Sequence, residues 1–388
     1  MTSEFVPGLR LARGYHGEVV RPLLERCFPG LRHTAALIGP GSEVLGFDGE
    51  RSTDHDWGAR LQIFLTDEDA RRAGEVDAML TRRLPASWRG HPTAFARTRD
   101  PRVRHRVECT TLGAYLGDQL GFDPRAGVTT ADWLATPTQR LAEVTGGAVF
   151  HDGPGELTAA RAALAWYPED VWRYVLACQW QRIAEEEAFP GRCAEAGDPL
   201  GSGVVAARLV RDLMRLCLLM RRRYPPYSKW LGTAFARLPP PDGLPADLAG
   251  ALTAPDWPTR EKHLVAAYGA VAREHNGLGL TEPLDPATRR FHDRPYQVLD
   301  AERFGAALRA GIENPELRRR PPTGAIDQFA DNTTALADPR LSRPLGTAWR
   351  RSATPARGLP EPGADGDSGA GDHRDAAEDC RPAQPFPQ

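Results

Sequence analysis

Two strand-like runs on either side of a glycine turn constrain the fold of this chain more than any other feature. Residues 34–38 are short and apolar, as expected of a buried strand, and a Gly-Pro-Gly turn at 39–41 ends the run. Between positions 56 and 65, apolar and polar residues alternate, and this period of two predicts a strand with one apolar face. The first part of the chain is therefore predicted to contain a sheet.

Helical periodicity surrounds these strands and dominates the rest of the sequence. An apolar residue recurs at every fourth position from Leu11 to Leu23, which predicts an N-terminal helix packed on the first strand. Residues 68–84 and 112–120 are also predicted to be helical, with a short strand at 94–98. Beyond about residue 150 the apolar stripes are helical, so we expect an α+β protein whose C-terminal domain is mainly helical.

Length and composition define the expected domains. A chain of 388 residues can bury a sizeable core and is expected to hold two domains, at 1–150 and 151–337. From about Asp338 the sequence loses its periodicity and fills with Pro, Gly, Ala, Asp and Arg. Such a segment cannot bury enough apolar surface to fold, so 338–388 is predicted to be a disordered tail.

Charge and cysteine content exclude several classes of partner. The net charge of −2 offers no overall attraction to nucleic acids or acidic membranes, and no DNA partner is expected. The six cysteines form no Cys-x-x-Cys pair and are expected to be reduced thiols. No secretory signal and no apolar run of membrane-spanning length is present, so we expect a cytoplasmic protein without a membrane partner.

The glycine turn and a following pair of aspartates suggest phosphate chemistry. Ser42, next to Gly41, is placed to cap a short helix whose N–H groups would attract an anion. Asp54 and Asp56 are two residues apart and are predicted to share the polar face of the second strand. Paired carboxylates favour Mg²⁺ or Mn²⁺, and a phosphate cradle beside such a metal is what phosphoryl or nucleotidyl transfer requires. The alternatives are a pair of solvated turn residues or a glycosyltransferase metal site.

This arrangement resembles the nucleotidyltransferase superfamily of DNA polymerase beta, whose signature is Gly-Ser, about ten residues, and then Asp-x-Asp on a strand. Eleven residues separate Ser42 from Asp54 here, within that pattern. The resemblance implies a nucleotidyltransferase-like mixed sheet with helices, and a nucleotide site that includes Gly41, Ser42 and Ser52. One departure is that Thr53 stands between Ser52 and Asp54, where the superfamily usually has Ser-Asp-x-Asp.

Members of the superfamily usually recruit a third carboxylate from a later strand, and Glu108 is the best candidate. Residues 103–110 alternate, with Val107 on one face and both Arg106 and Glu108 on the other. By this resemblance Glu108 would complete the metal site with Asp54 and Asp56 and act as general base. Glu108 could equally form a cross-strand pair with an arginine.

The wider chain resembles a second family, the domain of unknown function 4037, from about residue 5 to 337. The resemblance rests on three motifs, which are Tyr-Ser-Lys-Trp at 227–230, Arg-Pro-Tyr-Gln at 294–297 and Asp-Gln-Phe at 327–329. It supplies no established reaction.

The segment around Tyr227 is the most distinctive part of the helical half. Two prolines before it predict an extended turn that presents Tyr227 and Lys229. Lys229 could contact a phosphate while Tyr227 stacks on a base, or the segment could pack into an interdomain seam. A stripe of arginines at 208, 211, 215 and 222 is read as a salt-bridged or solvated helix face, or as a further polyanion contact.

Together these features predict a metal-dependent nucleotidyltransferase that moves a nucleoside monophosphate from a nucleoside triphosphate to a hydroxyl. The acceptor is a small molecule, a protein or RNA. The alternatives are a catalytically inactive nucleotide-binding sensor and an interaction protein on the same fold.

Overall fold

The structure, a computed structural model, describes residues 5–54, 56–98 and 100–348. Contacts between Cα atoms group the described residues up to Ala348 into one compact unit. No helix in the described ranges is long and apolar enough to cross a membrane.

Five strands form the main sheet, in the order β5-β6-β2-β1-β7, and two small hairpins accompany it. β1 is antiparallel to both of its neighbours, whereas β2 and β6 run parallel, so the sheet is mixed. The strands are β1 (His33–Leu37), β2 (Arg60–Leu65), β3 (Ser87–Trp88), β4 (His91–Pro92), β5 (Ala94–Arg97), β6 (Asp100–Thr111), β7 (Ala148–Asp152), β8 (Arg289–Arg290) and β9 (Gln297–Val298).

The helices outnumber the strands, and those after β7 form the mainly helical C-terminal part. They are α1 (Gly8–Tyr15), α2 (Arg21–Cys27), α3 (Ala73–Arg83), α4 (Leu112–Leu120), α5 (Thr130–Ala135), α6 (Thr138–Thr145), α7 (Glu156–Ala163), α8 (Glu169–Glu186), α9 (Phe189–Glu195), α10 (Pro199–Met220), α11 (Ser228–Ala236), α12 (Leu244–Thr253), α13 (Trp257–Asn276), α14 (Glu302–Ala310), α15 (Pro315–Arg319), α16 (Ile326–Phe329), α17 (Thr333–Ala337) and α18 (Pro339–Thr347). The predicted α+β class, with its mixed sheet and helical second half, is confirmed.

The sheet separates two apolar cores because its central strands are buried on both faces. Leu61 and Ile63 of β2 pack with α2 and α3, whereas Phe64 faces the larger core formed with the helical part. All residues of β1 and β2 are buried. The polar side chains that lie at the site are therefore held on a strand with little freedom to move.

The predicted N-terminal helix is present, with an irregularity in its middle. α1 and α2 are joined by a π-helical turn, His16–Val20, in which Arg21 N–H donates to His16 O. The wider turn advances the buried positions by one residue, so Tyr15 is followed in the core by Val20 and Leu24. Val19 and Leu23 of the predicted stripe are only half-buried.

The arginine stripe of α10 is engaged within the helical part. Arg208 pairs with Glu186, Arg211 Nη1 lies 2.7 Å from Asp331 Oδ2, and Arg215 donates to the Asp327 carbonyl. The guanidinium of Arg222 lies 4.5 Å from the centroid of the Trp172 ring. These contacts agree with a salt-bridged helix face.

The predicted tail begins too early at Asp338. α18 occupies residues 339–347 and packs on α5, where Arg343 Nη2 lies 2.6 Å from Asp132 Oδ1. Gly346 approaches the backbone of Ala135 so closely that a Cβ there would collide with it. Asp338 caps the start of this helix by accepting from Arg340 N–H, and the long-range contacts stabilise it although Pro344 lies inside it. The remainder of the predicted tail, 349–388, lies outside the described residues.

We therefore expect that a chain ending at Asp338 is less stable than a chain ending at Ala348. The shorter chain loses the Arg343–Asp132 ion pair and leaves the α5 surface uncovered. Thermal unfolding of the two chains, followed by circular dichroism, measures the difference. Equal melting temperatures would show that α18 contributes nothing to the fold.

Candidate functional site

The glycine turn after β1 lies beside the candidate site, where Arg60 contacts it. Val44 N–H donates to Gly41 O and Gly46 N–H to Glu43 O, so the segment is a series of turns. The predicted short helix capped by Ser42 is therefore wrong. Only four residues separate Gly41 from Gly46, whose φ of +69° ends the turn before a second helical repeat can form.

A buried ion pair holds this turn against β2. Arg60 Nη2 lies 2.5 Å from Glu43 Oε1, and both side chains are nearly inaccessible to solvent. Arg60 also donates from Nη2 to the Pro40 carbonyl at 2.7 Å. A Cβ on Gly41 would collide with Arg60 Nη2 and with the Glu43 carboxylate, so this position requires glycine.

The aspartate pair lies before β2 and not on it. Asp54 is exposed at the end of a 3₁₀ helix, Glu50–Asp54, and Asp56 adopts a left-handed φ of +55°. The prediction that both aspartates share one strand face is therefore wrong. β2 begins only at Arg60, because Asp56 and Gly58, with φ of +149°, turn the chain away from the extended geometry.

The loop that carries these aspartates has defined contacts. Asp56 Oδ1 accepts a hydrogen bond from Thr98 N–H at 2.7 Å, and the Arg97 guanidinium lies 3.9 Å from the same oxygen. The Ser52 hydroxyl accepts from Gly49 N–H at 3.1 Å. The end of β5 thus lies against the aspartate loop.

A polar pocket of about 350 Å³ opens on the sheet beside this loop. Its lining includes four arginines and one carboxylate of the polar sheet face: Arg60, Arg97, Arg104, Arg106 and Glu108. The volume lies within the usual range for small-molecule sites. Asp77 also lines the pocket, so four guanidinium groups face two carboxylates, and the excess of positive charge makes the pocket attractive to an anion.

Glu108 lies on β6, on the polar face that its sequence pattern predicts. It is paired in register with Gln62 of β2, two residues beyond the pairing of Arg106 with Arg60. Its side chain reaches solvent, yet the pocket walls exclude part of its hydration and raise its pKa. Arg97 and Arg60 oppose that rise in pKa electrostatically.

Arg97 connects Glu108 with the aspartate loop. Loss of hydration lowers the pKa of Arg97, whereas the charges of Asp56 and Glu108 raise it. Both carboxylates therefore interact electrostatically with the Arg97 guanidinium. Glu108, however, is level with Gln62, six residues after Asp56, so the register does not bring the two carboxylates side by side.

Within the described ranges, no group of three or more His, Cys, Asp or Glu side chains is placed to hold a metal ion. The metal site predicted from Asp54, Asp56 and Glu108 therefore stays a prediction. Asp56 and Glu108 each have arginine as a charged neighbour in this arrangement.

The Tyr227 segment contacts the site through its tryptophan. Tyr227 is followed directly by α11, so the predicted extended turn is limited to the residues before it. Trp230 stacks on Phe47 with 5.2 Å between ring centroids. In the sequence, Phe47 follows the glycine turn directly and precedes the two aspartates. Lys229 is exposed, with Nζ 4.9 Å from the Trp230 ring centroid, and its role at a phosphate stays a prediction.

A helix that connects this segment to the glycine turn was not identified from the sequence. On α6, Gln139 Oε1 accepts from Tyr227 N–H at 3.0 Å, and the Glu143 carbonyl accepts from Gly39 N–H at 2.8 Å. Arg60 and Arg97 were also missed as site residues. The sequence places each of them on or near a predicted strand. Their partners, Glu43 for Arg60 and Asp56 for Arg97, are distant in sequence, so the contacts could not be predicted from a local pattern.

Comparison with known proteins supports part of the resemblance. Residues 133–231 match the model of the family described as "Domain of unknown function (DUF4037)", and over this segment the predicted resemblance is confirmed. The match includes α6 and the Tyr227 segment but not Asp54, Asp56 or Glu108. A comparison with curated proteins found no significant match.

One solved structure shows a weak similarity, a nucleotidyltransferase-like protein from Exiguobacterium sibiricum 255-15. It is 12% identical, and the alignment covers 79% of this chain and 89% of that chain with a TM-score of 0.29. Similarity at this level is too weak to establish a shared fold or activity.

The buried pair gives a testable stability difference. Glu43→Gln would leave the Arg60 guanidinium buried without its counter-ion, so we expect a loss of about 3–5 kcal/mol in the free energy of unfolding. Glu25→Gln breaks the exposed Arg21–Glu25 pair and should cost only about 0.3–0.5 kcal/mol. Urea unfolding measures both values, and equal losses would refute the structural role of the buried pair.

Proposed function

We propose that this protein is a nucleotidyltransferase that transfers a nucleoside monophosphate from a nucleoside triphosphate to a hydroxyl acceptor. The observation that carries the proposal is the arginine-lined pocket that contains Glu108 and adjoins the Asp56 loop. Binding of a triphosphate requires several fixed positive charges at one place. Transfer to a hydroxyl also requires a group that removes its proton.

The arginines differ in how free they are to bind phosphate. Arg60 is committed to Glu43 and Pro40, and Arg106 donates to Asp100 and to the carbonyls of Phe95 and Arg102. These two guanidinium groups supply a fixed positive field. Arg97 and Arg104 retain accessible side chains, about one-third and 60% exposed, so they are the proposed direct phosphate contacts.

Glu108 is the proposed general base. Partial loss of hydration raises its pKa and strengthens its affinity for a proton, which suits a group that accepts one from a hydroxyl. In the proposed reaction the acceptor oxygen bonds to the α-phosphorus, the bond to pyrophosphate breaks, and Glu108 takes the hydroxyl proton. The arginines around the pocket stabilise the negative charge that develops on the phosphate oxygens.

Dependence on Mg²⁺ or Mn²⁺ belongs to the proposal, since Asp54 and Asp56 offer hard oxygen ligands. The described residues do not by themselves form a three-ligand centre.

A second candidate function is nucleotide binding without transfer. It is favoured by the arginine neighbours of Asp56 and Glu108, because the described residues form no group of three or more metal-holding side chains there. In that case the arginine pocket would bind the triphosphate, and binding without pyrophosphate release would distinguish the two functions.

Asp56→Asn tests the role of the aspartate loop in nucleotide binding. The amide oxygen can still accept from Thr98 N–H, so the loop should keep its fold while losing one charge. We expect stabilisation of the wild type by nucleoside triphosphate with Mg²⁺, measured by thermal shift, to be lost in this variant. Asp67→Asn, which changes an exposed carboxylate after β2, is the matched control. An equal response in both variants would contradict the proposal.

Glu108→Gln tests the proposed base. The variant should bind triphosphate about as well as the wild type but release pyrophosphate at least about a hundredfold more slowly, within the usual contribution of a general base. Wild-type release should rise with pH through the raised pKa of Glu108, because only the ionised carboxylate accepts the proton. A variant that keeps the wild-type rate and pH profile would refute the assignment.

A further inference from the structure

One short stretch of the chain carries a charge opposite to that of the whole. Between positions 89 and 106 there are six arginines, at 89, 97, 99, 102, 104 and 106, and a single acidic residue, Asp100. The full chain has a net charge of −2. The excess of positive charge is therefore local, and a local patch can bind a polyanion even when the whole protein is weakly acidic.

The structure places four of these arginines, at 97, 102, 104 and 106, on the β5–β6 hairpin, whereas Arg89 lies between β3 and β4 and pairs with Glu18. Arg102 and Arg104 have side chains 78% and 60% exposed, and Val103 between them is also exposed. Because side chains two apart on a strand share a face, Arg102 and Arg104 project together. They repeat about every 6.6–6.8 Å along the strand.

A single carboxylate partly neutralises three of these arginines. Asp100 accepts hydrogen bonds from Arg102, Arg104 and Arg106, and the bonds from Arg102 and Arg106 hold its pKa well below the usual range. Three positive charges around one negative charge leave a positive excess. Such a group is positioned by its internal hydrogen bonds, yet retains donors for a second anion.

The β5–β6 hairpin adjoins the pocket through Arg104. Arg104 is exposed on the hairpin and also lines the pocket with Glu108, and it is paired in register with Phe95. The half-buried Phe95 ring lies 5.6 Å from the Arg106 guanidinium. A basic track that includes an aromatic ring and ends at a reaction pocket suits a single-stranded polynucleotide.

We propose that the acceptor is the 3′ end of a single-stranded polynucleotide, whose backbone phosphates contact Arg102 and Arg104 on the β5–β6 hairpin. This inference rests on the proposed function, since it names the class of its acceptor. The terminal hydroxyl oxygen bonds to the α-phosphorus of the nucleoside triphosphate, pyrophosphate leaves, and the proton passes to Glu108. The strand is extended by one nucleotide.

The binding test uses the full chain and a 5′-labelled single-stranded RNA of 20 nucleotides, without nucleoside triphosphate, followed by fluorescence anisotropy. For single strands the logarithm of affinity falls with the logarithm of salt concentration by about 0.7 for each phosphate contact. Arg102→Gln with Arg104→Gln should therefore lower this slope by about 1.4 and weaken binding roughly 25-fold at 0.1 M salt. Arg102→Gln alone, which does not line the pocket, should weaken binding about fivefold.

Matched variants distinguish RNA binding by Arg102 and Arg104 from a general effect of the protein's net charge. Arg318→Gln with Arg319→Gln removes the same charge from α15 and should leave RNA affinity unchanged. Arg102→Lys with Arg104→Lys keeps the charge and should retain most of the salt dependence. DNA of the same sequence distinguishes recognition of ribose from recognition of phosphate alone, since equal binding assigns the contacts to phosphates.

The inference would be overturned if RNA failed to bind, if the two glutamine pairs bound RNA equally, or if vesicles containing phosphatidylserine bound to the hairpin in place of RNA. RNA binding is measured without nucleotide, and nucleotide binding is measured without RNA. Failure of this inference is therefore distinguishable from failure of the proposed function. Extension of the RNA by one nucleotide in the wild type, and its loss in Glu108→Gln, would support both the RNA acceptor and the proposed nucleotidyl transfer.

Discussion

The buried ion pair between Glu43 and Arg60 is the interaction on which the candidate site depends. It fixes the glycine turn to the first residue of β2, and it does so without access to water. The same arginine binds the Pro40 carbonyl and lines the pocket, so one side chain determines the position of the turn and part of the pocket charge. Removing either partner leaves a buried charge unpaired, which links the stability of the fold to the shape of the site.

The helical part reaches the site through α6. Its carbonyl at Glu143 binds Gly39 at the glycine turn, while Thr138 at its start donates to the carbonyl of Pro225 and to Asp327. The segment that matches the family model, residues 133–231, contains α6 and the Tyr227 segment. Displacement of α6 would therefore affect the turn that packs against Arg60.

Local sequence patterns predicted the regular elements well and the loops poorly. The helix Leu112–Leu120 was predicted with its ends because its apolar period and Gly121 are both local signals. The position of Asp54 and Asp56 was wrong because alternating polar residues look alike in a strand and in the loop before it. The Glu43–Arg60 pair could not be predicted from the sequence, because the two residues are seventeen positions apart and meet only when the glycine turn packs against β2. Such sites are set by long-range packing, which a periodic pattern does not encode.

Hydrogen–deuterium exchange with and without a non-hydrolysable nucleoside triphosphate tests whether the triphosphate binds in the arginine-lined pocket. If the triphosphate binds in the arginine-lined pocket, amides of residues 39–46 and 94–108 should exchange more slowly when it is present, because bound phosphate stabilises β6 and, through Arg60, the glycine turn. Amides of α12 and α13, which carry no part of this pocket, should be unchanged. Unchanged exchange in both segments under saturating nucleotide, or protection confined to α12 and α13, would show that the triphosphate does not bind in this pocket.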